Sequence, residues 1–409
     1  MYELLASMLN GYTTSYRGIP GHCWQRIAIS LIEAIVAGVI FFLSLYFVRD
    51  LHFSVAVAGL LIACYGVGTA IGGVAGGKLS DRYRPTIVSI LGLGIMGVAF
   101  LILGHLTNAI LLGVCLFLIG FSAYCFVTSN TLWILNYCVD ENTRHKSISV
   151  TYAILNLGLG AGALLVILLG RNRFDAVFVI AGLLLILCSV YLVILTLTKT
   201  QHVVINHTDI NDSHSHQQRA KSKKLTSLIL LCVFIVGIII AQRSSTYSIY
   251  IDSKFYNMGI SSVGLLFIIN TVMIVLFQVP LNHYLARYNI MKLVGFGILL
   301  MGLGTFVLSF SISYVIPVLA CVVYTLGEML FMPKAQLLCY QLGIANKRGY
   351  SLGLYRTVYA TSMIVGPALG GVVYNSLGGD AIWVLCGVLG LIGLFACFAF
   401  KRHYQVTSK

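Results

Sequence analysis

GGVAGGKLSDRYRP, from Gly72 to Pro85, joins an apolar, glycine-rich segment to a short charged one. The small residues of this region form two rows with four-residue spacing: Gly68, Gly72 and Gly76, and next to them Gly73 and Gly77. Such rows let helix backbones approach closely in lipid, where packing drives helix association. The pattern therefore predicts a membrane helix that packs tightly against a neighbour.

The second part of the stretch, Lys78 to Pro85, predicts a charged turn after that helix. Proline cannot continue a helix, so Pro85 ends the turn. Asp81 and three basic residues lie beside an apolar segment. Charges at a membrane boundary are costly to place, which makes this turn a candidate functional element.

The composition indicates a membrane protein. The chain has 409 residues, of which 59% are hydrophobic and only 9% are charged, whereas soluble chains contain about 25% charged residues. The net charge is +14, but the basic residues lie between apolar runs and form no basic face. Membrane topology explains that distribution, and nucleic-acid binding is excluded.

The cysteines show neither a disulfide framework nor a metal site. The chain has eleven and contains no Cys-x-x-Cys pair. Most lie inside apolar runs and are interpreted as small buried hydrophobic residues. The first 26 residues are mixed polar and aromatic, which is not typical of a cleavable signal peptide.

At about 20 apolar residues per crossing, the sequence predicts an all-α membrane protein with twelve spans. Their approximate bounds are 25–48, 56–78, 86–105, 108–135, 148–170, 175–197, 225–249, 261–285, 291–311, 313–340, 350–375 and 381–400.

The basic residues predict the orientation. If the amino terminus is cytoplasmic, nineteen of the 26 Lys and Arg residues fall on the inner side and four fall in outer loops, Arg49, Arg171, Arg173 and Lys254. The remaining three, Arg243, Lys334 and Arg356, lie inside spans. This asymmetry predicts that both termini are cytoplasmic.

The predicted organisation has five parts. A cytoplasmic segment (1–24) precedes a six-helix bundle (25–197), a linker rich in His and Lys (198–224), a second six-helix bundle (225–400) and a cytoplasmic tail (401–409). His214 and His216 in the linker match no common zinc spacing, so a solvated linker is favoured over a metal site. Sequons at Asn206 and Asn211 fall on the cytoplasmic side, where they are not used.

The two halves are related by an internal repeat. Gly59 and Gly264, within similar four-residue segments, lie 205 residues apart, as do Arg82-Tyr83 and Arg287-Tyr288. Arg144 and Arg348, each followed three residues later by Ser, lie 204 apart. This common offset, with six spans in each half, predicts two parallel repeats about an axis along the membrane normal.

These features together resemble the major facilitator superfamily over essentially the whole chain. The segment from Gly77 to Arg84 is similar to the signature of that superfamily between its second and third helices. The acid and the first base are kept, and Arg84, Pro85 and Thr86 stand where the signature continues with Gly and two bases. The resemblance implies the two-bundle fold of the superfamily and a gating role for this turn.

Within the superfamily, several segments resemble the twelve-span drug:proton antiporters. They include Asp140–Arg144 before the fifth span, Asn346–Gly349 before the eleventh, and Gly327-Glu328 followed by Pro333 in the tenth. The chain departs from that group in two places. Leu116 stands where an arginine is expected in the fourth span, and the Gly-Pro motif of the fifth span is reduced to glycines.

The resemblance implies roles for particular residues. The gating set is Gly77, Asp81, Arg82, Arg144 and Arg348. Spans 1, 4, 7 and 10 line the central cavity of the superfamily, so the substrate-cavity set is Tyr124, Asn130, Gln242, Arg243, Tyr247, Tyr324 and Arg356. For each polar side chain, contact between helices is the alternative. Arg243 either holds an anionic group or snorkels outward, and snorkelling is slightly favoured.

Glu33 and Glu328 are the proton-coupling candidates. Desolvation disfavours the charged form of a carboxylate, which permits proton binding near neutral pH. The alternative is a structural ion pair, with Arg26, Lys334 or Arg356 as the partner.

The leading functional hypothesis is a proton-coupled secondary transporter of the inner (plasma) membrane. It would export a lipophilic or cationic small molecule by proton antiport and alternating access. The alternative is proton-symport uptake of a nutrient such as a peptide, an amino acid or a metal chelator (siderophore), and a non-transporting receptor or scaffold is less favoured. No P-loop or catalytic cluster indicates an enzyme. We expect no cofactor, no metal and no nucleic acid, with protons, lipid and a small-molecule substrate as partners of a monomer.

Overall fold

A computed structural model describes residues 16–138, 140–169, 174–198, 216–243, 245–255 and 260–404. These ranges are almost wholly helical and contain no β-strand. Their α-helices are α1 (Gly21–Val39), α2 (Leu43–Arg49), α3 (Val55–Arg82), α4 (Pro85–Leu103), α5 (Ala109–Tyr137), α6 (Glu141–Leu169), α7 (Phe174–Thr198), α8 (His216–Arg243), α9 (Thr246–Lys254), α10 (Ile260–Tyr284), α11 (Ile290–Phe306), α12 (Val315–Leu342), α13 (Arg348–Leu377) and α14 (Gly379–Tyr404). The predicted linker residues 199–215, including both sequons and His214, lie outside the described ranges.

Within the described ranges, twelve helical segments are long and apolar enough to cross a membrane, which confirms the predicted fold class. Helices α2 and α9 are shorter. Helix α2 follows a 3-10 turn (Ile40–Phe42) at the end of α1, and α9 follows α8. Several helices start at a side-chain cap: Ser54, Asn108 and Asn289 accept hydrogen bonds from the first free backbone amides of α3, α5 and α11,.

The turn after the glycine rows is shorter than predicted. Helix α3 continues through Arg82, because the amide of Tyr83 still bonds to the carbonyl of Leu79 at 2.7 Å. The backbone of Arg84 is extended, as the residue before a proline prefers,. Pro85 does not merely end the turn. It opens α4, since the first position of a helix needs no amide donor,.

Both glycine rows of α3 lie in close helix contacts, as predicted. A Cβ atom at Gly68 or Gly72 would collide with the backbone of α5, and one at Gly76 would lie 2.6 Å from the Cα of Cys125. The second row, Gly73 and Gly77, faces the first turns of α13. One helix therefore carries two separate backbone-to-backbone contacts.

The seventh span is interrupted, which the sequence did not predict. Helix α8 ends at Arg243 and α9 starts at Thr246. The amide of Ser245 bonds three residues back to the carbonyl of Gln242, and the side chain of Thr246 bonds to Gln242 Oε1 at 3.1 Å. These bonds replace the regular helical pattern at the end of α8.

The chain forms two compact units. Helices α1–α7 and residues 343–357 make the first, whose core contains the fully buried rings of Phe100, Phe126 and Phe178. Helices α8–α12 and residues 358–404 make the second. Its aromatic core is built around Trp383, which meets Tyr247 and Tyr250 edge to face at 6.0 and 5.4 Å.

Candidate transport site

The Asp81 carboxylate near the end of α3 caps the amino terminus of α13. Its Oδ1 accepts a hydrogen bond from the backbone amide of Gly349, and its Oδ2 accepts one from the amide of Tyr350, both at 2.7 Å. The first amides of a helix lack internal partners, and the helix dipole favours a negative charge there. Asp81 thus links α3 to α13 through a hydrogen bond to Gly349, which lies 268 residues later in the sequence.

Two glycines make this bond possible. A Cβ atom at Gly77 would collide with the carbonyl of Gly349, and one at Gly349 would lie 2.6 Å from Asp81 Oδ1. The helix backbones approach directly, so the short aspartate side chain reaches the amides. Lys78 lies above the ring of Tyr350, with its Nζ 5.5 Å from the centroid. We call this contact, formed by Gly77, Asp81, Gly349 and Tyr350, the α3–α13 latch.

The other three predicted gating residues, Arg82, Arg144 and Arg348, have different surroundings. Arg348 is the first residue of α13 and so belongs to the capped turn. Arg82 lies above the ring of its neighbour Tyr83, at 5.6 Å. Arg144 donates from Nε to the carbonyl of Leu135, at 3.2 Å. Of this set, Gly77 and Asp81 join α3 to α13 directly.

Glu33, Tyr124 and Arg356 come together within the first unit. Glu33 in α1 is buried, with 4% of its surface exposed. It interacts electrostatically with the Arg356 guanidinium, and the Tyr124 phenol interacts with both charges. The Nε of Arg356 has no hydrogen-bond partner among the described residues. This group therefore contains a carboxylate, a guanidinium and a buried N–H donor that has no partner among the described residues.

Arg26 is not the partner of Glu33, contrary to one predicted alternative. It is buried beside α4 and α5, where Nη2 donates to Thr86 at 3.0 Å and Nη1 to Asn130 at 3.4 Å. Its guanidinium also lies 4.6 Å from the ring of Trp133. The amide of Asn130 donates in turn to the Arg26 carbonyl and to Ser30. Asn130, predicted to line the substrate cavity, has its amide used in contacts between helices.

The second unit contains a buried ion pair between Arg243 at the end of α8 and Glu328 in α12. Nη1 of Arg243 lies 3.7 Å from Oε2 of Glu328, and each side chain is only 10% exposed. Asn270 in α10 donates to the same Oε2 at 3.0 Å and to Thr325 at 2.8 Å. The prediction that Arg243 snorkels outward is wrong, because its guanidinium points to a carboxylate in the interior of the unit.

Aromatic rings surround the Arg243 guanidinium. Its carbon lies 4.5 Å from the centroid of Tyr324, 5.1 Å from that of Phe267 and 5.9 Å from that of Tyr247. Stacked rings stabilise a desolvated cation. Two polar atoms of this cluster, Nη2 of Arg243 and the hydroxyl of Tyr324, have no hydrogen-bond partner of acceptable geometry.

A small cavity, with room for about one water molecule, adjoins the cluster,. Its lining residues are Arg243, Tyr247, Gly304, Thr305, Leu308, Ala320, Cys321 and Tyr324. Gln242, also predicted to line a cavity, instead donates to the carbonyl of Gly366 at 2.9 Å and is fully buried. The second unit thus brings together four predicted residues, Arg243, Tyr247, Tyr324 and Glu328.

Sequence reasoning missed the amides of α10. Asn270, Gln278 and Asn282 lie eight and four residues apart, which places them on one face of the helix,. Lys334 contacts Asn282 Oδ1 and, unlike one predicted alternative, is not the partner of Glu328. Gln278 and Asn282 both donate to the carbonyl of Met329, at 3.0 Å. The helical spacing of polar residues in an apolar span was the signal that could have identified this face.

The family model of the Major Facilitator Superfamily matches residues 27–360. The uncharacterized MFS-type transporter YqjV of Bacillus subtilis (strain 168) is 23% identical over 90% of each chain. Multidrug resistance protein 1 of the same organism is 21% identical over 80% of this chain and 83% of its own length.

Two solved structures share the fold. The human organic anion transporter MFSD10 (TETRAN) has a TM-score of 0.72 at 14% identity, covering 92% of this chain and all of its own. The transporter FucP, in the outward conformation, has a TM-score of 0.68 at 13% identity, covering 94% of this chain and 99% of its own. With the twelve spans, the internal repeat and the family match in agreement, the chain belongs to the Major Facilitator Superfamily and is a multi-pass membrane transporter.

Proposed function

We propose that this transporter is proton-coupled and exports lipophilic small molecules across the cytoplasmic membrane by antiport. The observation that carries the proposal is the buried pair of Glu328 and Arg243 next to a cavity. A proton on Glu328 would leave the Arg243 cation without its counter-charge, and an unpaired buried charge is costly. Proton binding therefore favours a rearrangement of α8 against α12.

Glu33 and Arg356 provide a second, similar pair in the first unit. Glu33 is buried and its only described charged neighbour is Arg356. Buried acids in transport proteins are expensive to keep and serve as proton carriers or ion-pathway residues. Two such acids are consistent with a carrier that exchanges protons for substrate.

The direction of transport is supported by the relatives. Two of them are named multidrug resistance proteins, at 21% and 22% identity. The inner-side excess of basic residues supports cytoplasmic termini,. In this scheme the α3–α13 latch holds the cytoplasmic ends of the two helices together and breaks when that side opens.

Proton flux measured in proteoliposomes tests the proposal. The full chain is reconstituted with a pH-sensitive dye inside, and the lipophilic cation ethidium or the ketone acetophenone is added with or without an imposed pH gradient. We expect substrate and protons to move in opposite directions. Glu33→Gln and Glu328→Gln should each reduce this coupled flux, and the double variant should abolish it.

Glu141→Gln is the matched control, because Glu141 is exposed at the start of α6. Unchanged coupling in the double variant would remove both acids from the mechanism. Substrate and protons moving in the same direction would overturn export by antiport and establish the alternative, proton-driven uptake.

A further inference from the structure

We propose that Cys23 and Cys138 form a reversible disulfide when the protein meets a peroxide, which makes this pair a redox modification site. The proposal goes beyond the proposed function and does not depend on it, because these two thiols take no part in the binding of substrate or protons in that scheme.

The two thiols are in contact where two helix ends meet. Cys23 lies in the first turn of α1, and Cys138 directly follows the last residue of α5. Their Sγ atoms are 3.9 Å apart, although the residues are separated by 115 positions in the sequence. Since the bond length of a disulfide is about 2 Å, the two sulfurs need only a small approach to become bonded.

The neighbouring side chains hold the two helix ends together. The rings of His22 and Tyr137 meet edge to face, with their centroids 5.5 Å apart. One turn further along α1, the Arg26 guanidinium lies 4.6 Å from the ring centroid of Trp133. These contacts lie on either side of the thiols and fix the register of α1 against α5. Cys23 and Cys138 therefore remain opposite each other.

Cys138 is the thiol that reacts first. The thiolate is the nucleophile in thiol chemistry, and Cys138 lies just outside the span that ends at Tyr137. The Ser147 hydroxyl is 3.2 Å from its sulfur. The Cys23 thiol, the Ser147 hydroxyl and the Arg144 guanidinium together lower the pKa of Cys138 despite its burial,. Cys23 is then the thiol that resolves the oxidised sulfur.

The oxidant reaches the pair from the end of α5. Both thiols are buried, but Asn136 and Asp140, two positions on either side of Cys138, are exposed. Helix ends open locally at a small cost in free energy, and hydrogen peroxide is small and uncharged. A local opening of this end is therefore sufficient for the reaction.

The reaction has two steps and uses hydrogen peroxide as the oxidant. The Cys138 thiolate attacks one peroxide oxygen, so an S–O bond forms, the O–O bond breaks, and the leaving hydroxide takes the proton that the thiol released. The Cys23 sulfur then attacks the sulfenic acid, so the S–S bond forms and the S–O bond breaks. The second hydroxide leaves with the Cys23 proton as water. In sum, two thiols and one peroxide give one disulfide and two waters, and exchange with an added dithiol reverses the oxidation.

A second pair of thiols separates the effect of proximity from that of the surroundings. Cys232 in α8 and Cys397 in α14 are both buried, with their Sγ atoms 3.6 Å apart. Both lie within membrane-spanning segments, where the charged thiolate is disfavoured. We expect this pair to stay reduced under conditions that oxidise Cys23 and Cys138.

Peroxide treatment of the purified full chain in detergent tests the proposal. The remaining thiols are blocked with N-ethylmaleimide under denaturing conditions, and the chain is digested with trypsin and chymotrypsin. These enzymes release Cys23 within residues 18–24 and Cys138 within residues 138–144. Mass spectrometry should find these two peptides linked, and dithiothreitol should restore both as alkylated thiols. Cys232 and Cys397 should be alkylated with and without peroxide.

Three variants assign the roles. Cys23→Ser should leave Cys138 as a sulfenic acid that dimedone traps, and Cys138→Ser should leave Cys23 as an unmodified thiol. Ser147→Ala removes one neutral hydrogen bond to Cys138 and should slow disulfide formation about fivefold. Ser149→Ala is its matched control, since Ser149 is also buried in α6, and it should react at the rate of the parent chain.

Three results overturn the proposal: alkylation of both Cys23 and Cys138 after peroxide treatment, a link between two copies of the chain on a non-reducing gel, or equal oxidation of Cys232 and Cys397. Size-exclusion elution checks that each variant is folded, and the linked peptide is sought in the parent chain, which needs no variant. Transport is not measured in this assay. Failure of the disulfide therefore leaves the proposed function standing, and failure of proton coupling leaves the disulfide standing.

Discussion

Replacement of Asp81 should reduce transport without a comparable loss of substrate binding. Its carboxylate accepts two backbone hydrogen bonds at the start of α13, and charge-assisted bonds are roughly twice as strong as neutral ones. Asp81→Asn keeps the shape but loses the charge and one of the two acceptors. We expect transport by this variant to fall about tenfold, while equilibrium binding of substrate changes less than about twofold.

Transport in proteoliposomes and binding in detergent measure the two effects separately. Asp50→Asn is the control, since Asp50 is exposed in the loop after α2. Normal transport by Asp81→Asn would show that the latch has no role in gating and that the motif only marks the topology.

At this scale the sequence predicted the charges better than their partners. Asp81, Glu33 and Glu328 stand out because each is an acid in or beside an apolar run. The partner of Glu328 is Arg243, which lies 85 residues away. Nothing in local spacing pairs two helices at that separation, and the predicted partners were Lys334 and Arg356 instead.

At the scale of helices, the glycines of α3 provide a matched comparison. Gly77→Ala adds a methyl group where the carbonyl of Gly349 already lies, whereas Gly59→Ala, on the same helix, has nothing within 4 Å. Overpacking costs about 1–3 kcal/mol. We expect Gly77→Ala to lower the thermal unfolding midpoint and to reduce transport, and Gly59→Ala to change neither.

Thermal unfolding of purified protein, followed by intrinsic fluorescence, provides the comparison. Equal midpoints for the two alanine variants would mean that α3 and α13 adjust without cost, and the close approach would then lose its importance for the latch.

The loop before α6 provides a pH-dependent element. The backbone amide of Thr143 donates to Asp140 Oδ2 at 2.7 Å, and this bond lowers the pKa of the exposed Asp140 carboxyl,. A carboxyl with a lowered folded-state pKa stabilises the fold above its unfolded pKa. That contribution is lost as the pH falls below about 4.

Hydrogen exchange of the peptide covering the start of α6 measures this effect. After correction for the intrinsic rate, exchange should accelerate between about pH 5 and pH 3. The Asp140→Asn variant should show the faster exchange at both pH values. An identical pH response in the variant would contradict the assignment to Asp140.

The interruption after Arg243 is a feature of the helices that was not predicted from the sequence. A single helix over 225–249 was expected, although the polar run from Gln242 to Thr246 interrupts the hydropathy of the seventh span. At the break, the Gln242 side chain donates to the carbonyl of Gly366 and accepts from the Thr246 hydroxyl. The partner of the first bond, Gly366, lies 124 residues away and cannot be read from the local pattern.

For the whole molecule, the basic residues predict a testable topology. Alkaline phosphatase fused after Leu106, in the loop between α4 and α5, should be active because that loop is predicted to face outward. The same enzyme fused after Tyr83 should be inactive, and green fluorescent protein at the carboxyl terminus should fluoresce. Activity after Tyr83 would reverse the orientation and move the latch to the outer side.

The fold was predictable because its causes are spread over many residues. Twelve apolar runs, the small-residue rows and an offset of 205 residues between halves each gave a separate indication. The candidate site was predictable only as a set of residues. Its donors and acceptors meet across helices, and their distances depend on packing that one sequence does not specify.

The contact of α3 with α13 has a mechanical consequence. Most packed helices interlock their side chains like ridges in grooves, and separating them requires those chains to change rotamer. Here Gly77 faces Gly349 and Gly73 faces Gly353, so much of the contact is between main chains, and the Thr357 hydroxyl adds a hydrogen bond to the carbonyl of Ala70. Separating these surfaces would break three hydrogen bonds, two at Asp81 and one at Thr357. Because two of the three end on one carboxylate, we expect the charge of Asp81 to govern most of that cost.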